Sequence, residues 1–114
     1  MLPKTNRLIK QDFNNVREKG FVVNGNLFGL SIYKRNDSNP PRFGFVVSKK
    51  ISNKAVERNR IKRMLRQALL SLLSKFKNGY DVVFLAKKTI LEESNVSDVA
   101  DEIEKVGRKS KLLE

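Results

Sequence analysis

Arg58-Asn59-Arg60-Ile61-Lys62-Arg63-Met64-Leu65-Arg66 sets five cations and one amide along nine residues, under three turns if helical. Guanidinium groups are planar forks that bind phosphate bidentately, and an asparagine amide offers both donor and acceptor to a base edge or a 2′-hydroxyl. Lys49, Lys50 and Lys54 precede this run, which only Glu57 opposes. The chemistry this pattern supports is binding of a phosphate backbone. It is not bond cleavage by side chains.

The 114 residues include no His and no Cys, which excludes a Ser-His-Asp triad, a thiol nucleophile and a zinc finger. Any metal would be a hard, oxygen-liganded ion such as Mg²⁺. Asp12, Glu18, Asp37, Glu57 and Asp81 are scattered along the sequence and mostly flanked by cations, a poor start for the clustered carboxylates of a metal-dependent nuclease. Neither a catalytic residue nor a metal ligand is therefore assigned to the chain. Charge is unevenly spread: up to Ala86, 18 Lys and Arg face 5 Asp and Glu, whereas from Lys87 onward 6 face 7. A field so one-sided attracts polyanions. A face that served solubility alone would mix signs.

The elements that must hold the basic run follow from periodicity. Ile9, Phe13 and Val16 recur at helical spacing and predict a helix from about Lys10 to Lys19, with Gly20 at its C′ position. Phe21 to Val23 and Leu27 to Lys34 read as a hairpin around Asn24-Gly25-Asn26. There Leu30 and Ile32 face the core, and Ser31 lies on the exposed side. Asn36 to Pro41 is a loop, and Phe43 to Ser48 a third strand. Ile61, Met64, Leu65, Ala68, Leu69, Leu72, Leu73 and Phe76 form one apolar stripe, predicting a helix from about Lys54 to Phe76 with Ser52 or Asn53 as N-cap. Arg58, Lys62 and Arg66 stack along one edge of that stripe. Tyr80 to Ala86 suits a buried fourth strand, and Val96, Val99, Ala100, Ile103 and Val106 a last helix from about Asn95 or Ser97 to Arg108.

This order, helix-strand-strand-strand-helix-strand-helix, predicts a single α+β domain over residues 1–114, a mixed four-stranded sheet covered on one side by helices. A parallel pairing of the third and fourth strands would by default cross over right-handedly. One basic helix followed by a strand offers neither a helix-turn-helix nor heptads, which favours RNA over DNA. No apolar run reaches the 18 or so residues of a membrane span, and the first ten residues carry no signal-peptide pattern. These features point to a cytoplasmic protein with no membrane partner. A structural RNA-binding protein of ribosomal type would share them.

Arg58-Asn59-Arg60 with Ile61-Lys62-Arg63 and Arg66, preceded by Val46-Val47-Ser48-Lys49-Lys50, closely resembles the signature of the bacterial ribonuclease P protein subunit. The likeness extends through Arg7-Leu8, Asp12-Phe13, Val16 and Gly20 and covers nearly the whole chain. The resemblance implies a ribosomal-protein-like fold with a left-handed crossover, against the default. It further implies a non-catalytic subunit of an endoribonuclease, whose catalytic RNA uses Mg²⁺ to remove the 5′ leader of precursor tRNA. Arg58, Asn59, Arg60, Lys62, Arg63 and Arg66, with Lys49 and Lys50, would face the catalytic RNA. The positions matching the family's leader-binding cleft are Phe13, Arg17, Gly29, Ser31 and Val46. Family members often present aromatics where this chain has Arg17 and Ser31, which leaves Phe13 as the stacking candidate. Phe13 reads equally well as a core residue, since Ile9 and Val16 share its face.

Overall fold

A computed structural model describes residues 2–113. Helix α1 runs Lys10–Lys19, strands β1 to β3 Phe21–Asn24, Phe28–Lys34 and Arg42–Val46, helix α2 Ala55–Leu70, strand β4 Tyr80–Ala86 and helix α3 Val96–Lys109. The sheet order is β1-β2-β4-β3. The most apolar strand, β4, is therefore central, antiparallel to β2 and parallel to β3. The α+β class and mixed four-stranded sheet are as the sequence predicts.

Alternation along the strands divides the sheet into two faces. Phe28, Leu30 and Ile32 of β2, Phe43 of β3, and Val82 and Phe84 of β4 point into one core with Ile61, Leu65, Ala68 and Leu69 of α2 and Val99 and Ile103 of α3. Phe28, Phe45 and Phe84 pack there with ring centroids 5.2 Å apart in each pair with Phe84, and Phe76 lies edge-on to Phe43 at 5.0 Å. The opposite face carries Ser31, Gly44 and Val83, which are buried as well. Helix α1 lies across it. The helices thus cover both faces rather than one, because this second face also alternates small and apolar residues.

Local chemistry explains where elements begin and end. The N-terminus of α1 is held by Asp12, whose Oδ2 accepts from the Ile9 amide at 3.1 Å. Gly20 follows with φ −83°, in extended backbone, so it does not supply the left-handed C′ residue expected of it. Ile9 is 62% exposed and does not share the buried face of Val16.

Helix α2 starts at Ala55, and neither Ser52 nor Asn53 caps it. Lys54 holds the cap position, and the Ser52 hydroxyl accepts from the Lys54 amide instead. The helix also ends six residues before Phe76. The Ser71 hydroxyl donates to the Ala68 carbonyl at 2.7 Å, the Leu72 amide reaches back only to Leu69, and a 3-10 turn over Leu73–Lys75 follows. Leu72 and Phe76 stay buried in the core, so the apolar stripe outlasts the helix. Gly79, at φ +87°, then makes the left-handed turn into β4 that a side chain would strain. Asn95 caps α3 by accepting from the Ser97 amide at 2.9 Å.

Candidate nucleic-acid interface

Burial of Ile61, Met64, Leu65, Ala68 and Leu69 fixes the rotation of α2 and turns Asn59 and Arg63 to solvent, with Lys62 and Arg66 half-buried beside them. Arg63, Arg66, Gln67 and Leu70 line an open groove of about 560 Å³. Lys49 and Lys50 are exposed on the turn between β3 and α2, which closes through the Ile51 amide on the Ser48 carbonyl at 3.0 Å. Among the described residues the ion pairs engage only Arg35, Arg42 and Arg108 as cations. The cations of α2 and of this turn are therefore not neutralised from within. Such a cluster suits phosphate oxygens.

Two arginines of the run are engaged differently. Arg58 donates to the Ser52 carbonyl at 2.9 Å, tying the Lys49-Lys50 turn to α2. Arg60 donates from Nη1 to the Glu93 carbonyl and from Nη2 to the Leu91 carbonyl, both at 3.1 Å, and so secures the segment before α3. The sequence marks all these arginines alike because contacts across 31 and 33 residues leave no local signature.

The second feature lies on the other face of the sheet. Between α1 and the strands is a cleft of about 350 Å³ lined by Phe13, Asn14, Val16, Arg17, Val22, Ser31, Val46, Val83 and Leu85. That volume is at the low end for a ligand cleft. Its floor follows the sheet register, in which Val22 pairs with Ser31, Ser31 with Val83, and Val83 with Gly44. Of the positions the sequence singled out, Phe13, Arg17, Ser31 and Val46 line this cleft. Gly29 is buried one row along, paired with Leu85.

Ser31 is 8% exposed, on a floor covered by α1, and not on the open face that strand alternation suggested. Phe13 stands outside the main core and forms one wall. Arg17 is exposed at the mouth and donates to Asn14 Oδ1 at 3.2 Å. Val22, Val83 and Leu85 were not anticipated. An apolar run in a central strand signals burial without saying which of its two faces borders a cleft.

The carboxylates scattered in sequence also converge. Arg42 meets Asp12 at 3.1 Å and Asp81 at 2.9 Å, and Arg35 meets Asp81 and Asp37 at 2.5 and 3.0 Å. Hydrogen bonding to Asp81 pushes the Arg42 guanidinium above its ordinary pKa. Among the described residues no group of three or more acidic side chains is placed to hold a metal ion, because two guanidinium groups stand between these three aspartates. Nor is any described helix long and apolar enough to cross a membrane.

The family model for Ribonuclease P matches residues 2–111. The chain is 38% identical to the ribonuclease P protein component of a Pseudanabaena species, over 99% of this chain and 97% of that one. Against the protein component of Caldanaerobacter subterraneus it is 39% identical, over 100% and 97%. Among solved structures, the Staphylococcus aureus RNase P protein superposes with a TM-score of 0.83 at 25% identity, covering 97% of this chain and all of that one. The Thermotoga maritima RNase P protein, at 24% identity, shares the fold with a TM-score of 0.78 over 90% and 96%.

Proposed function

The chain belongs to the bacterial ribonuclease P protein family, and from that premise we propose that it is the subunit that grips a catalytic RNA and the 5′ leader of precursor tRNA while the RNA cuts. The observation that carries this reading is the pairing of an un-neutralised basic helix with a narrow cleft on the opposite face of the sheet. Strand β3 joins them, because Val46 borders the cleft and the chain then runs through Lys49 and Lys50 into α2.

In this reading Lys62, Arg63 and Arg66, with Lys49 and Lys50, contact phosphates of the catalytic RNA, and Asn59 meets a base edge or a 2′-hydroxyl. Single-stranded leader enters beneath α1. Phe13 stacks on one unpaired base, Arg17 meets a phosphate at the mouth, and Ser31 offers the floor's hydroxyl. The carboxylates of Asp12, Asp37 and Asp81 are occupied by arginines, and in this reading the Mg²⁺ ions that supply the cleavage chemistry are held mainly by the RNA. The protein contributes binding energy and screens repulsion between two RNAs.

The test is reconstitution with a bacterial ribonuclease P RNA. The protein alone leaves precursor tRNA intact, and its addition lowers the Mg²⁺ concentration the RNA needs for 5′ cleavage. Cleavage by protein without RNA, abolished by a carboxylate substitution, would overturn the reading. Copurification with ribosomal RNA and no effect on the Mg²⁺ requirement would point to a structural ribosomal role instead.

A further inference from the structure

Helix α1 approaches the sheet at two points where the chain has no side chain. At Gly20 a Cβ would lie 2.5 Å from the Val16 carbonyl oxygen and 2.6 Å from that of Ile32. At Gly44 it would overlap the far edge of the Phe13 ring, against Cζ and Cε1. Both separations are far below ordinary van der Waals contact, so each glycine is needed for the close approach. Two residues before Gly44, on the same face of β3, Arg42 binds Asp12. Adjacent residues of α1, Asp12 and Phe13, are thus fastened to alternate residues of one strand. The ion pair fixes where the helix starts, and the bare backbone at Gly44 lets the ring sink onto the sheet.

The depth of that seat matters because the Phe13 ring is a wall of the cleft, whose floor runs from Val83 through Ser31 to Val22, with Gly44 next to Val83 in the sheet register. A ring raised from β3 moves into the opening. Resting on the leader reading above, we propose that Gly44 is a specificity-determining position: it sets the height of the Phe13 ring, and hence whether the cleft admits a stacked single-stranded base. Gly44 touches no RNA in this account and acts solely through Phe13.

The experiment compares wild type, Gly44→Ala, Phe13→Ala and the double variant, each assembled with the catalytic RNA. The readouts are the ratio of affinities for leader-bearing precursor and mature tRNA, the affinity for the catalytic RNA, and the melting temperature. Gly44→Ala is expected to lower the ratio about fivefold or more, the loss of one stacked base, without changing affinity for the catalytic RNA. In the Phe13→Ala background, where no ring needs the seat, Gly44→Ala is expected to change the ratio no further. An unchanged ratio in Gly44→Ala, or an equal drop in both backgrounds, overturns the proposal. Should Gly44→Ala alone fail to fold, Phe13→Ala is expected to restore folding by removing the clash, and a double variant equally unfolded rejects the seat. A wild-type ratio of one rejects the leader reading itself, whereas a wild-type preference for precursor that Gly44→Ala leaves intact rejects only this inference.

Discussion

Arg60 and Arg63 lie three residues apart on α2, yet Arg60 gives its guanidinium to the carbonyls of Leu91 and Glu93 while Arg63 is exposed and pairs with no carboxylate among the described residues. Their substitutions are therefore expected to separate. Arg63→Ala should reduce the log-log salt dependence of binding to the catalytic RNA by roughly 0.7 to 0.9, the share of one phosphate, with the melting temperature unchanged. Arg60→Ala should remove two charge-assisted hydrogen bonds, cost about 1.5 to 3 kcal/mol of stability, and leave the salt slope nearly intact. Salt titrations of both variants beside thermal melts check this. A lowered slope with unaltered melting for Arg60→Ala would show that Arg60 meets phosphate, as the sequence motif alone suggests.

Asp81 is the hub of the buried network, with a side chain 2% exposed that accepts from Arg35 Nη1 and from Arg42 Nε and Nη2 at 2.5 to 2.9 Å. Breaking a buried pair from one side typically costs about 3 to 5 kcal/mol, and the carboxylates left to Arg35 and Arg42, Asp37 and Asp12, are more exposed than Asp81. Asp81→Asn, similar in volume, is expected to fall in that range by urea unfolding. A loss below about 1 kcal/mol would mean that water reaches Arg35.

Asp37 should leave a signature in acid. The hydrogen bond from Arg35 holds its carboxyl below the ordinary carboxylate value. The unfolded chain therefore takes up a proton at higher pH than the folded one, and the stabilisation is complete above about pH 4 and fades as pH falls through the folded-state value. Melting curves of wild type and Asp37→Asn are expected to differ by a constant amount from about pH 5 to 8 and to converge below about pH 4. A gap that persists in strong acid would assign the difference to hydrogen bonding rather than charge.

Elements with a complete local pattern were legible in the sequence. The bounds of α1 and β4 are met. In β4 an unbroken apolar run coincides with its turn residues, whereas in α1 part of the expected pattern fails, since Ile9 is exposed and Gly20 extended, and Asp12 holds the N-terminus instead. The end of α2 was not legible, since Leu72 and Phe76 continue the buried stripe after the backbone has changed course at Ser71. Roles that depend on distant partners were not legible either. Ser31 appears exposed until α1 is laid over it, and the Arg42 bridge from Asp12 to Asp81 spans 30 and 39 residues. Charge density located the basic face correctly but could not tell the cations that reach outward from Arg58 and Arg60, which hold neighbouring loops.

The cleft beneath α1 offers a leader one cation and one ring. Arg17 stands at its mouth, steadied by Asn14, and Phe13 is the one aromatic among the residues that line it. Leader affinity is accordingly expected to depend on length and charge more than on base identity. Ser31 is on the floor between Val22 and Val83 in the sheet register, so Ser31→Tyr would lay a second ring across that floor and extend the stacking surface. A stacked base is worth roughly 1 to 3 kcal/mol, and precursor binding should tighten toward that range while mature tRNA, which lacks a leader, is unaffected. Arg17→Ala should act in the opposite sense, again sparing mature tRNA and the catalytic RNA, and its effect should shrink with added salt because the contact it removes is ionic. The ratio of holoenzyme affinities for precursor and mature tRNA, measured for each variant at two salt concentrations, reads both effects. If neither substitution moves that ratio, the leader passes elsewhere and the cleft beneath α1 is not its path.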